Sequence, residues 1–163
     1  MSLKRLIPGT LTAILFLSLQ TVQAQIGSDS HTVTVQVSTI VAVQVSSGTV
    51  NMNITGASTV AGQDQMTIID QSTNLLWGIN SSAKKITVNT SVAAQQYTLK
   101  LLAVSPTVGT ASSEVTLSTT ATDFMLNVGR SSGSCSLKYT GIALASQGTG
   151  SDAHSITFTV QTQ

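Results

Sequence analysis

The sequence predicts an all-β fold, a single β-sandwich with Greek-key connections, on three observations. Apolar and polar residues alternate with a period of two through most of the chain after Ala24, and no stretch there carries a helical stripe. The alternating runs are short, about ten of them at spacings of about 8–12 residues, with Gly, Ser, Asn and Pro between them. The polar positions are mostly Ser, Thr, Gln and Asn, and the valine- and threonine-rich runs fit a pleated, half-buried surface.

The first 24 residues read as a signal peptide. Lys4 and Arg5 form a basic start, Leu11–Leu19 a short apolar run, and Val22-Gln23-Ala24 a small-residue cleavage site. The run falls short of the roughly 20 residues that a membrane span needs. Removing 24 of 163 residues leaves 139, so 25–163 is expected to be one domain with no membrane span in the mature chain. The expected location is therefore secreted: extracellular, at the cell surface, or in a bacterial periplasm.

His31 to Val45 keeps one parity, with Val33, Val35, Val37, Val41 and Val43 on a single face. As one strand, 31–46 would run about 50 Å at roughly 3.3 Å per residue, far beyond an ordinary strand. The segment therefore bends near Ser38-Thr39 and serves two sheets, or half of it projects. Ser46-Ser47-Gly48 is then a turn and Val50-Met52-Ile54 a strand, with a loop at Gly56–Gly62. A weaker strand at Met66–Ile69 ends in a turn at Asp70-Gln71-Ser72, and Leu75–Ile79 follows. Strands are expected next at Ile86–Val88, Tyr97–Val104, Val115–Leu117, Phe124–Val128, Leu137–Tyr139 and Ile156–Val160. The loops Gly129–Gly133 and Gly141–Gly150 separate the last of these. Trp77, Tyr97, Phe124, Tyr139 and Phe158 are the expected core aromatics. Cys135, the only cysteine, shares a face with Leu137 and Tyr139, which predicts a buried thiol; an intermolecular disulfide or a reactive thiol is the alternative.

Charge is sparse, 8% against about 25% in an average soluble domain. Without Lys4 and Arg5 the chain has five basic and six acidic groups, a net of −1. That excludes a nucleic-acid-binding surface, which needs clustered cations. No Walker loop or His-Glu-x-x-His occurs, and the acids are scattered singly. The chain is thus expected not to be an enzyme and to need no cofactor. Asn53-Ile54-Thr55, Asn80-Ser81-Ser82 and Asn89-Thr90-Ser91 match the glycosylation pattern, as chance allows in so Asn-, Ser- and Thr-rich a chain.

One motif occurs twice. Gly27-Ser28-Asp29-Ser30-His31 precedes Thr32–Val37, and Gly150-Ser151-Asp152-Ala153-His154 precedes Ser155–Val160. It reads in three ways. It is a turn that starts a strand, with Asp closing a local turn. It is half of a metal site made by Asp29, His31, Asp152 and His154, a donor set that suits zinc at a spacing matching no established motif. Or the two following strands are equivalent and fit the same kind of groove, one in its own subunit and one in a neighbour. Between Asp29 and Asp64 there is no charged residue, and between Gln25 and Ser105 no proline. An edge strand without such protection is suited to joining another subunit's sheet; a fully central strand would need no protection either.

The cleaved signal, the Thr/Val strands and the ending Ile156-Thr157-Phe158-Thr159-Val160 together resemble small bacterial surface β-sandwiches of the pilin-like or spore-coat-U-like kind. The resemblance is one of pattern; the paired cysteines of usher-type pilins and a WxL motif are absent, Trp77-Gly78-Ile79 standing instead. It implies an immunoglobulin-like sandwich and self-association through β-strand pairing. The expected role is a structural or adhesive subunit of the cell surface or extracellular matrix. The self-assembly strand would be carried by Val33, Val35, Val37, Val41 and Val43. The alternative is a monomeric module binding carbohydrate or protein through the loops at Gly56–Gly62, Gly129–Gly133 and Gly141–Gly150, with an exposed Trp77 as its mark.

Overall fold

The computed structural model describes residues 29–56 and 59–163. The expected signal peptide lies outside them. The chain divides into two units, Met1–Gln36 and Val37–Gln163. The described residues of the first, 29–36, form no strand, and Val33 and Val35 are 71% and 82% exposed. The second unit is an all-β sandwich of nine strands, β1 (Val41–Val45), β2 (Gln65–Ile79), β3 (Lys84–Thr90), β4 (Thr98–Val104), β5 (Thr110–Ala111), β6 (Val115–Thr116), β7 (Thr122–Leu126), β8 (Ser131–Leu144) and β9 (Ile156–Thr162).

All pairings are antiparallel, in a five-stranded sheet ordered β1-β2-β8-β4-β6 and a four-stranded sheet ordered β5-β7-β3-β9. Each connection from β2 to β9 crosses between the sheets. The crossings set non-consecutive strands side by side, β2 against β8 and β3 against β7, which is the Greek-key character that the strand pattern predicts.

The core follows from strand parity. Leu75, Trp77, Leu137, Leu101, Ile86 and Phe124 point inward from the two sheets and are buried. Cys135 lies with Leu137 and Tyr139 on the buried face, free and out of solvent, so the alternatives of a disulfide or a reactive thiol lose their basis. Burial pushes its thiol up to about 11, against a smaller lowering by a backbone hydrogen bond at Leu75, which keeps it protonated at neutral pH. Trp77 is 3% exposed, and its indole N–H donates to Ser131 Oγ at 3.3 Å. Of the expected core aromatics, Trp77, Phe124 and Tyr139 are buried, whereas Tyr97 and Phe158 are half-buried.

Several boundaries differ from the sequence pattern. Asp70–Ser72 does not end a strand. Ser72 N–H and Oγ donate to Asp70 Oδ1 at 3.0 and 2.8 Å, and this local turn is a bulge inside the 15-residue β2. The bulge switches the inward parity from Met66 and Ile68 to Thr73, Leu75 and Trp77, so one strand reads as two. β8 likewise extends through both neighbouring glycines, Gly133 and Gly141. Gly133 is required there because a Cβ would lie 2.5 Å from Trp77 Cζ2. Val50, Met52 and Ile54 alternate with exposed neighbours as expected but form no strand, because alternation reports burial rather than pairing. β1 begins only at Val41, so the long segment is divided. Asn80 pins its middle, with its side-chain N–H₂ donating to Ser38 O and its Oδ1 accepting from Ile40 N–H, each at 2.7 Å.

The close approach of Gly133 to Trp77 makes a direct prediction. Gly133→Ala should lower unfolding stability by about 1–3 kcal/mol through overpacking, measured by urea denaturation with tryptophan fluorescence as the probe.

Candidate functional site

The five-stranded sheet faces one of four strands. Among the described residues β9 pairs with β3 alone and so ends its sheet. Of the other sheet ends, β5 and β6 are two residues long and offer little edge, whereas β1 is a five-residue uncharged edge strand paired with β2 alone among the described residues. β9 is seven residues long, uncharged and without proline. Its Ile156, Phe158 and Val160 turn inward, while one side of its backbone has no ladder partner among the described residues.

A groove of about 900 Å³ lies between β9 and the facing sheet. Ile156 and Phe158 of β9 form one wall. Ile68, Gly141, Ala143 and Leu99 of the facing sheet contribute the floor. No Lys or Arg lines it, and its one carboxylate residue is Asp152. Val50 and Met52 dip into it and pack on the core cluster, with Met52 Cε 3.2 Å from where a Gly141 Cβ would stand. Among the described residues the backbone of Val50–Ile54 makes no hydrogen bond, so this stretch lies in the groove through side chains alone.

The second copy of the repeated motif is the rim. Asp152 Oδ2 accepts from Tyr97 N–H at 2.8 Å, and Tyr97 O–H donates to Gly148 O at 3.1 Å. His154 Nδ1 and Thr90 Oγ1 are in hydrogen-bond contact at 3.0 Å. Ser91 and Ser155 close the same corner, with Ser91 N–H donating to Ser155 O and Ser155 N–H to Ser91 Oγ. Asp152 and His154 thus fasten the start of β9 to the β3–β4 connection. Among the described residues no three His, Cys, Asp or Glu side chains converge as metal ligands. Partial burial lowers the His154 imidazole below its usual value, and Asp152 opposes that shift more weakly.

At the inner end of the groove Tyr139 and Thr73 line the floor. Burial, reinforced by the charge of Asp70, pushes the Tyr139 phenol up to about 12, so it remains a proton donor. Thr73 is 1% exposed, and its Oγ1 has no hydrogen-bond partner in the structure. Sequence reasoning missed Thr73, because the unrecognised bulge hid its inward parity.

The predicted self-assembly face divides in two. Val41 and Val43 pair with Ile79 and Trp77 in the subunit's own sheet, and Val43 packs on the core. These two lie in β1, an edge strand laddered to β2 on one side among the described residues. Val33, Val35 and Val37 remain outside any strand and exposed. Trp77, the expected mark of a sugar-binding loop, is buried. Two of that reading's three loops are also shortened, since β8 takes 131–133 and 141–144. Comparison with known protein families, with characterised proteins and with solved structures yields no significant match.

The lowered His154 titration sets a pH dependence. The unfolded chain binds this proton more readily, so the contribution is present above the ordinary histidine value and lost as pH falls. Thermal unfolding of the native chain should shift to lower temperature from about pH 7 to about pH 5, and His154→Gln should flatten that part of the profile.

Proposed function

We propose that the chain is an exported structural or cell-surface subunit that self-associates by β-strand addition. Residues 31–37 of one copy occupy the groove beside β9 of another. The observation that carries the reading is the pairing of a vacant sheet edge with an unladdered valine segment in the same chain. The two are matched in sequence. Aligning His31 with His154 sets Val33, Val35 and Val37 on the parity of Ile156, Phe158 and Val160, which face the core. They also match in charge, since residues 30–37 carry no Lys, Arg, Asp or Glu and the groove walls are nearly neutral.

Magnitudes indicate which part of the contact matters. Burying three valines yields about 1.5–3 kcal/mol each. Ordering seven residues of backbone costs about 1–2 kcal/mol per residue. Side-chain burial alone therefore does not hold the segment, and ladder hydrogen bonds of about 0.5–1.5 kcal/mol each must add to it. A closed apolar pocket could not supply these bonds, whereas the unpaired backbone of β9 can. Among the described residues no helix is long and apolar enough to cross a membrane.

Analytical ultracentrifugation over a concentration series tests the reading. The mature chain should form growing oligomers, and deletion of residues 25–37 should leave a monomer that binds a synthetic peptide of residues 29–40. A mature chain that stays monomeric throughout, with 25–37 protected from protease, would overturn it.

A further inference from the structure

The groove beside β9 has a resident in the lone subunit. Val50, Met52 and Ile54 are half-buried while Asn51 and Asn53 are exposed, the parity that Val33, Val35 and Val37 would bring to the same place. Val50 and Met52 pack on the core cluster. The Met52 methyl lies over Gly141, where the missing side chain leaves it room. A Cβ there would stand 3.2 Å from Met52 Cε and 3.1 Å from Ile68 Cγ2. Gly141 and Ile68 belong to the groove floor, so Met52 covers part of that floor.

Side chains alone hold this stretch. The ladder of β1 ends at Val45, and Ser46 N–H then donates to Asn74 O. The next tie to the sheets is Asp64 O, which accepts from Ala145 N–H. Among the described residues from 47 to 63 every hydrogen bond is local, such as Thr59 N–H to Gly56 O. A stretch with few buried apolar contacts and no ladder is among the first parts of a fold to open. Its release breaks no hydrogen bond to either sheet.

We infer that Val50–Ile54 is a displaceable plug, which covers the groove floor in the lone subunit and leaves it when residues 31–37 of a second copy dock. The inference rests on the strand-addition reading and adds its regulation. Two stretches of equal parity, Val-x-Met-x-Ile and Val-x-Val-x-Val, compete for one apolar floor. The docking segment adds ladder bonds to the open side of β9, which the plug does not make. That difference decides the competition once copies are concentrated. Below that concentration the plug keeps the floor from being bare.

Peroxide oxidation of methionine on the full mature chain, read by mass spectrometry, tests the plug directly. Met125, which is fully buried, serves as the internal reference. Met52 should oxidise faster in the assembled chain than in the dilute one. Met52→Ser should lower the thermal midpoint of the dilute chain and also lower the concentration for half-oligomerisation about tenfold, as one half-buried side chain stops competing. Slower or unchanged oxidation of Met52 on assembly overturns the inference, since the stretch would then stay beside the docked strand as a wall. So does a Met52→Ser chain that assembles less readily than the wild type, or equally so. Either result leaves strand addition standing. A wild-type chain that never assembles, and whose Met52 oxidation is unchanged by a synthetic peptide of residues 29–40, removes the strand-addition reading and this inference with it.

Discussion

The structure depends on the unpaired backbone edge of β9. A strand must place its N–H and C=O groups with a partner or with water. β9 has β3 on one side and no strand on the other among the described residues. Between β9 and the facing sheet, Ile68, Gly141 and Leu99 line a groove that Val50 and Met52 enter from the side. Its apolar walls are the normal inward residues of two sheets seen where one sheet stops. Natural sheets usually blunt such edges with short strands, charge or proline. Here β5 and β6 are two residues long, while β9 and β1 are neutral edges of seven and five residues.

The two copies of the Gly-Ser-Asp-x-His motif differ in what surrounds them. In the C-terminal copy Asp152 accepts from the Tyr97 amide and His154 meets Thr90, which fixes where β9 begins. The residues are held by hydrogen bonds. The N-terminal copy leads into valines with no ladder partner, and Asn80 clamps the chain at Ser38 and Ile40 before β1 starts. That clamp separates a segment free to pair elsewhere from Val41 and Val43, which are committed to β2. The retained segment at Val50–Ile54 shows that side-chain fit alone brings a strand-like stretch to the groove without giving it a ladder.

Much of the fold was legible because period-two alternation reports which side of a strand is buried. The buried face of Cys135, Leu137 and Tyr139, the strand at Ile156–Val160 and the sandwich class all follow from it. What alternation does not report is hydrogen bonding. Val50, Met52 and Ile54 have the pattern of a strand and none of its ladder, whereas Thr110–Ala111 is a strand too short to have a pattern. The Asp70–Ser72 turn is real as a local hydrogen-bonded turn, but the sequence cannot show that β8 continues opposite it. For the same reason the groove was only partly foreseen. The neutral valine segment is visible in sequence, while the groove is made by residues far apart in the chain.

The central claim is that Val33, Val35 and Val37 enter a neighbour's sandwich while Thr32, Thr34 and Gln36 remain outside. Its most direct test is an aspartate scan of residues 32–37 with oligomer size measured by light scattering. The account predicts a period-two result, with Asp at 33, 35 or 37 abolishing assembly and Asp at 32, 34 or 36 leaving it largely intact. Equal effects at odd and even positions, or none at any, would contradict it.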